Sequence, residues 1–159
     1  MTDPNDPAIS RWSAPPSSKA KNAVQRSVTN LLDALAPERV LKRGEHLSVP
    51  VEQHRTPNGC VLQAATAAVS VSWFSAGGND PGLGELHVVV WQGIVSRRGS
   101  PKRREGATVV REMVLHPVET SSGKWVWRAP DSAEYDTGEL AALCTKLLDE
   151  QVSAGGAKA

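Results

Sequence analysis

The sequence has few cysteines, almost no net charge and no long apolar run, and each of these absences excludes some classes of protein. Two cysteines occur in 159 residues, and 18 basic residues nearly balance 17 acidic ones, for a formal net charge of +1. No stretch approaches the roughly 18 consecutive apolar residues of a membrane-spanning helix, and the acidic, proline-containing start lacks the apolar core of a signal peptide. We therefore expect a cytoplasmic protein without a membrane segment, and the total charge predicts no class of partner.

The two cysteines, Cys60 and Cys144, belong to no CxxC pair. A single pair of cysteines in a cytoplasmic domain of this size is typical of reduced, buried thiols. The sequence therefore predicts no disulfide.

Signatures of catalysis are absent from the sequence. There is no HExxH or GxSxG motif, and the glycine-rich stretch 77–84 lacks the Gly-Lys-Ser/Thr ending of a phosphate loop and leads into a predicted strand. The four histidines are His46, His54, His87 and His116. We predict no enzyme, no cofactor and no metal site. The enzyme alternative would need a cleft in which His87 and His116 lie beside Glu112.

The strongest strand signal is the run 84–95, which is rich in β-branched residues and contains Trp91. Both parities of the run are apolar, as in a central strand that is covered on both faces. One parity holds Leu86, Val88, Val90 and Ile94, and the other holds Val89, Trp91 and Val95. We predict that this run is the central strand of a sheet.

Two amphipathic helices flank the strand region. Between residues 19 and 35, the apolar side chains recur at spacings of three and four, and the same pattern returns between residues 140 and 152. Ser17 or Ser18 can cap the first helix, whereas Asp136 and Glu139 form a capping-box pair for the second.

Alternation of apolar and polar side chains predicts four further strands, within residues 37–56, 60–74, 107–118 and 124–129. The alanine-rich part, residues 62–68, fits a helix equally well, and the turns that flank it favour a strand. Strands that follow one another without intervening helices favour an antiparallel arrangement. The predicted fold class is α+β: a five-stranded antiparallel β-meander flanked by an N-terminal and a C-terminal amphipathic helix packed on one face.

The predicted organisation is a single domain at 19–152 between a disordered arm, 1–18, and a disordered tail, 153–159. The arm is rich in proline, serine and aspartate and contains few large apolar side chains. The tail consists mostly of small residues.

Two helices cover only one face of a five-stranded sheet, so the second face needs another cover or a partner. Four of the five tryptophans lie in predicted strands: Trp73, Trp91, Trp125 and Trp127. We expect this face to mediate binding of a protein partner or of a second copy of the chain, with these tryptophans as the contact residues.

A basic loop supports an alternative function. Five of the eight residues from 97 to 104 are basic: Arg97, Arg98, Lys102, Arg103 and Arg104. Arg111, Lys124 and Arg128 on nearby strands would extend the patch toward phosphates, and tryptophans on an open face would stack bases of single-stranded DNA or RNA. The competing interpretation is a solvated loop that protects a sheet edge. Small-ligand binding is the second alternative.

Overall fold

The computed structural model describes residues 17–35, 40–43, 47–76, 82–95 and 107–156. Within these ranges the chain forms two helices, α1 (Ser18–Ala34) and α2 (Thr137–Gly156). The nine strands are β1 (Val40–Arg43), β2 (Leu47–Pro50), β3 (Glu52–Thr56), β4 (Gly59–Ala64), β5 (Ala67–Ser75), β6 (Gly84–Gln92), β7 (Thr108–Glu119), β8 (Trp125–Arg128) and β9 (Glu134–Tyr135).

The strands from β3 to β9 pair in chain order into one antiparallel sheet of seven strands, and β1 and β2 form a separate two-stranded sheet. The predicted α+β class, the two helices and the antiparallel meander are confirmed. The predicted number of five strands is wrong, because two predicted strands are divided in the structure and one short strand, β9, lies where none is predicted.

The run 60–74 is divided into β4 and β5 by a two-residue turn at Ala65 and Thr66, across which Ala64 pairs with Ala67. Ala65 has φ of 52°, a conformation that two-residue hairpins usually fill with asparagine, aspartate or glycine. The sequence at this turn carries no such signal, so the two strands were predicted as one.

The run 37–56 holds β1, β2 and β3. Strand β2 ends at Pro50, and β3 begins at Glu52. Proline cannot donate a hydrogen bond to a strand ladder, and here it is the last residue of β2. The two-residue strand β9 is too short to show any periodicity, so the sequence predicts no strand there.

Helix α1 begins at the predicted cap, where the Ala20 amide donates a hydrogen bond to Ser17 Oγ over 3.1 Å. Its apolar stripe is buried against the sheet and α2. Residues 1–16, most of the predicted arm, lie outside the described residues.

Helix α2 begins with the predicted capping box. The Glu139 amide donates to Asp136 Oδ1 over 2.7 Å, and the Asp136 amide donates to Glu139 Oε1 over 3.0 Å. The helix continues to Gly156, four residues beyond the predicted domain end at 152.

The main core lies between the helices and one face of the sheet. It contains alternate residues of β4 to β7, together with both helices and Trp127 of β8. The Trp73 and Trp127 rings meet edge to face, with centroids 5.8 Å apart and an interplanar angle of 71°. The predicted parity of the central strand is confirmed for Leu86, Val88 and Val90, which are buried in this core.

In the described part of the chain, neither helix is long and apolar enough to cross a membrane.

Candidate functional site: the uncovered sheet face

The sheet face opposite the helices is the candidate functional surface. Alternate side chains of each strand point away from the main core, and no residue of α1 or α2 joins the apolar cluster on this side. Its open part, the uncovered face, is formed by Phe74, Glu85, His87, Val89, Glu112, Val114 and His116. None of these side chains is fully buried.

The apolar side chains of the uncovered face lie on three neighbouring strands. Phe74 of β5 is 50% exposed, and Val89 of β6 and Val114 of β7 are half-buried. The Phe74 ring meets the His87 ring edge to face, with centroids 4.8 Å apart. Apolar surface that remains accessible in this way is typical of an interaction site.

A chain of histidine and glutamate contacts crosses the same face. His87 Nε2 lies 2.9 Å from Glu85 Oε2, and His87 Nδ1 lies 3.7 Å from Glu112 Oε1. His116 Nε2 lies 3.8 Å from the second oxygen of Glu85. The two histidines are thus linked through a carboxylate they share.

The other part of this side of the sheet is covered by the chain itself. Val61, Ala68 and Val95 form a small buried cluster, against which Trp91 and Ala107 pack. This side of the sheet is therefore covered at β4, at the start of β5 and at the end of β6, and it remains open at the end of β5 and over the rest of β6 and β7.

A buried glutamine holds this cover in place. Gln63 Nε2 lies within hydrogen-bond distance of the carbonyls of Ala65, Ala67 and Gly93, at 3.0, 3.0 and 3.1 Å. Gln63 Oε1 accepts a hydrogen bond from the Val95 amide over 3.0 Å. A buried amide with all of these contacts is stabilising, because the polar groups it meets would otherwise be left unpaired.

A shallow cavity of about 440 Å³ adjoins the uncovered face at the β5–β6 end of the sheet. It is lined by Phe74, Ser75, Ala76, Gly82, Gly84, Glu85 and His116. Ala76 and Gly84 are half-buried, and the other five are exposed. The cavity is therefore open to water.

The histidine–glutamate contacts bring together His87, His116 and Glu112, the set that the enzyme alternative required. Catalysis by such groups gains most where water is excluded, and the lining of this cavity is exposed. Among the described residues, no group of three or more histidine, cysteine, aspartate or glutamate side chains has the geometry to hold a metal ion.

The four tryptophans predicted to contact a partner do not share one face. Trp73 and Trp127 are buried in the main core, and Trp125 packs against it. Trp91 alone of the four points to the side opposite the helices, where its Nε1 donates to Ser70 Oγ over 3.0 Å. Strand propensity alone could not show which face each tryptophan takes.

The residues predicted to bind nucleic acid are only partly described. Residues 97–104, which contain Arg97, Arg98, Lys102, Arg103 and Arg104, lie outside the described residues. Arg111 and Lys124 are exposed, whereas Arg128 Nε and Nη2 both donate to Glu134 Oε2, over 3.0 and 2.6 Å. Nucleic-acid binding by the loop stays a prediction.

Sequence reasoning missed Phe74 and Glu85. The positions of both residues are predictable from the alternation that identifies the core-facing side chains, since Glu85 has the parity of His87 and Val89 on β6. Phe74 has the parity of Ser70 and Ser72 on β5, opposite to that of the core residues Val69, Val71 and Trp73.

The two cysteines are free and buried on the helix side of the sheet. Burial raises the pKa of the Cys144 thiol to about 12, and the nearby Cys60 raises it further. Burial also raises the pKa of Cys60 to about 11, although Arg55 and a hydrogen bond from Gln53 act in the opposite direction. The prediction of reduced, buried thiols is confirmed, and neither thiol is a candidate nucleophile.

Comparison of the chain with known protein families, with curated proteins and with solved structures finds no match.

Proposed function

We propose that this chain is a non-catalytic binding module that associates with a protein partner, a second copy of the chain included, through the uncovered face. The observation that carries the proposal is the partly exposed set of Phe74, Val89 and Val114 on a sheet face that neither described helix, α1 or α2, covers.

The position of these side chains supports binding. They lie on β5, β6 and β7, three adjacent strands of a seven-stranded sheet whose opposite face is filled by the main core. A surface on such a support keeps its shape when it binds, so little conformational entropy is lost on association.

The accompanying polar groups supply specificity. Glu85, His87 and Glu112 alternate with the apolar side chains across β5, β6 and β7, so a partner that covers the apolar side chains must also match these polar groups. The cavity beside Phe74 offers a place for one projecting side chain of the partner.

The test is a capture experiment with a variant whose uncovered face is polar. In this variant, Phe74→Thr, Val89→Thr and Val114→Thr replace the apolar side chains by residues with high strand propensity. The tagged wild-type chain is expressed in its native cells, and co-purifying proteins are identified by mass spectrometry beside those of the variant and of an Ala142→Ser control on the exposed side of α2.

We expect one protein to be retained by the wild-type chain and by the control and to be lost with the polar variant, at equal thermal stability. Equal recovery with all three chains would overturn the proposal. If the retained protein is the untagged chain itself, the module is a homo-oligomer.

A further inference from the structure

We infer that the partner of the uncovered face presents a basic segment, whose lysine or arginine side chains contact Glu85 and Glu112 of that face. This inference rests on the function proposed above and adds the chemistry of the partner.

The first argument is the charge of this side of the sheet. Glu85 and Glu112, the carboxylates of the uncovered face, contact histidines, and no lysine or arginine within the described ranges pairs with them. With histidine counted as neutral, as in the formal charge, these two carboxylates are uncompensated, although the whole chain has a formal charge of +1. Arg128 is balanced by Glu134 and does not alter this sum.

The second argument is the aromatic ring beside one of these carboxylates. Phe74 and Glu85 are direct neighbours across β5 and β6, and half of the phenylalanine surface is exposed. A cation that lies over the ring is attracted by its π electrons and also lies within reach of the carboxylate. Arginine suits such a site best, because its planar head can stack on the ring while its N–H groups bind the carboxylate.

The third argument is the spread of the charges. Glu112 of β7 pairs with Val89, which lies four residues along β6 from Glu85, so the two carboxylates are about 13 Å apart along the strands. A small amine can neutralise only one of them. An extended peptide spans this distance with about four residues, so a segment with two basic side chains at that separation meets both carboxylates.

The same charges argue against other occupants. A nucleic-acid backbone would bring its phosphates toward Glu85 and Glu112, where like charges repel. The uncovered face of a second copy would present the same carboxylates, and direct face-to-face pairing of two copies would place them together.

The test is a titration followed by fluorescence anisotropy, with the full chain and a labelled glycine–serine peptide that carries two arginine pairs about four residues apart. We expect saturable binding that weakens with salt and becomes about fivefold weaker in the Glu85→Gln, Glu112→Gln variant. The matched control, Glu119→Gln with Glu150→Gln, removes the same charge from exposed sites outside the uncovered face and should bind like the wild-type chain.

Absence of saturable binding, or equal weakening in both double variants, would overturn the inference. A further variant of the chain tests whether its own basic segment occupies the uncovered face. In this variant, serine replaces the five basic residues Arg97, Arg98, Lys102, Arg103 and Arg104. If only this variant binds the peptide, the chain's own basic segment occupies the face, and the inference of a basic partner fails.

The outcome is separable from that of the proposed function. If the peptide fails to bind while capture of a partner still depends on Phe74, Val89 and Val114, only the inferred chemistry of the partner is wrong. If capture also fails to depend on them, both proposals fall.

Discussion

Gln63 on β4 and the backbone amide of Val95 are joined by a 3.0 Å hydrogen bond across 32 residues of sequence. The bond holds the chain that leaves β6 against Val61 and Ala68, and it separates the self-covered part of the sheet side from its open part. The position of the uncovered face thus depends on one buried side chain.

The first prediction concerns this glutamine. Gln63→Leu leaves the Val95 amide and the Gly93 carbonyl without their partner, so the free energy of unfolding should fall by about 1–3 kcal/mol. Denaturation in urea measures the loss, and amide hydrogen exchange at Val95 should accelerate. The control is Gln53→Leu, which removes a 3.1 Å bond to the Leu32 carbonyl on the other side of the sheet. Unchanged protection of Val95 in Gln63→Leu would contradict this role.

The second prediction concerns Gly84, the first residue of β6. Its φ is +139°, and a methyl group there would overlap the Phe74 carbonyl oxygen and lie 2.8 Å from the Trp73 ring. Gly84→Ala therefore combines backbone strain with a clash and should lower the free energy of unfolding by about 3 kcal/mol or more.

Gly123 supplies the matched control for this substitution. Its φ is +86°, and an added methyl group would meet nothing within 4 Å, so Gly123→Ala should show the strain alone, about 1–2 kcal/mol. Equal losses in the two variants would mean that the contact with Trp73 and Phe74 does not constrain Gly84.

The third prediction follows from the buried thiols. The pKa values of Cys60 and Cys144 are raised from 9.0 to about 11 and about 12, so the folded state keeps protons that the unfolded state loses. The stability contributed by the protonated thiols is fully present below pH 9. It should fall as the pH rises from 9 toward 11 and 12, by about 1.4 kcal/mol per pH unit for each thiol that ionises only in the unfolded state.

Urea denaturation at a series of alkaline pH values measures this slope. The double variant Cys60→Ala, Cys144→Ala should lose it, whatever its stability at neutral pH. A slope that persists unchanged in the double variant would show that other groups cause it.

The fourth prediction separates the tryptophans. Trp127 is 1% exposed and packs against Trp73, so Trp127→Ala should cost about 3–5 kcal/mol. Trp91 is half-buried on the opposite side of the sheet, and Trp91→Ala should cost about 1–2 kcal/mol. Thermal or chemical denaturation of both variants compares them, and a greater loss for Trp91 would contradict the assignment of the faces.

Periodicity predicted the elements in which one side faces the core along the whole length. Both helices were predicted from their apolar stripes, and the capping box of α2 from Asp136 and Glu139 alone, because these signals are local. The turn at Ala65 and the short strand β9 have no local signal: the first is imposed by pairing of β4 with β5, and the second by pairing with β8.

The candidate site was predictable only in part, for a related reason. The sequence indicated a sheet face without a helix on it, since two helices cannot cover both sides. Which residues of that face stay exposed depends on the packing of Val95 against Val61. The hydrogen bond between Gln63 and the Val95 amide holds this contact, and the alternation of apolar and polar residues along a strand cannot predict it. The meeting of Glu85 with His116 likewise depends on the register between β6 and β7.

The central claim, that the uncovered face binds a protein, is tested most directly by site-specific photo-cross-linking in native cells. A photoreactive amino acid is placed at Val114 on this face, or at Lys146 on the exposed surface of α2 as the control. The account predicts a discrete cross-linked product that contains a partner protein for position 114 and none for position 146. The same products at both positions, or no product at position 114, would contradict it.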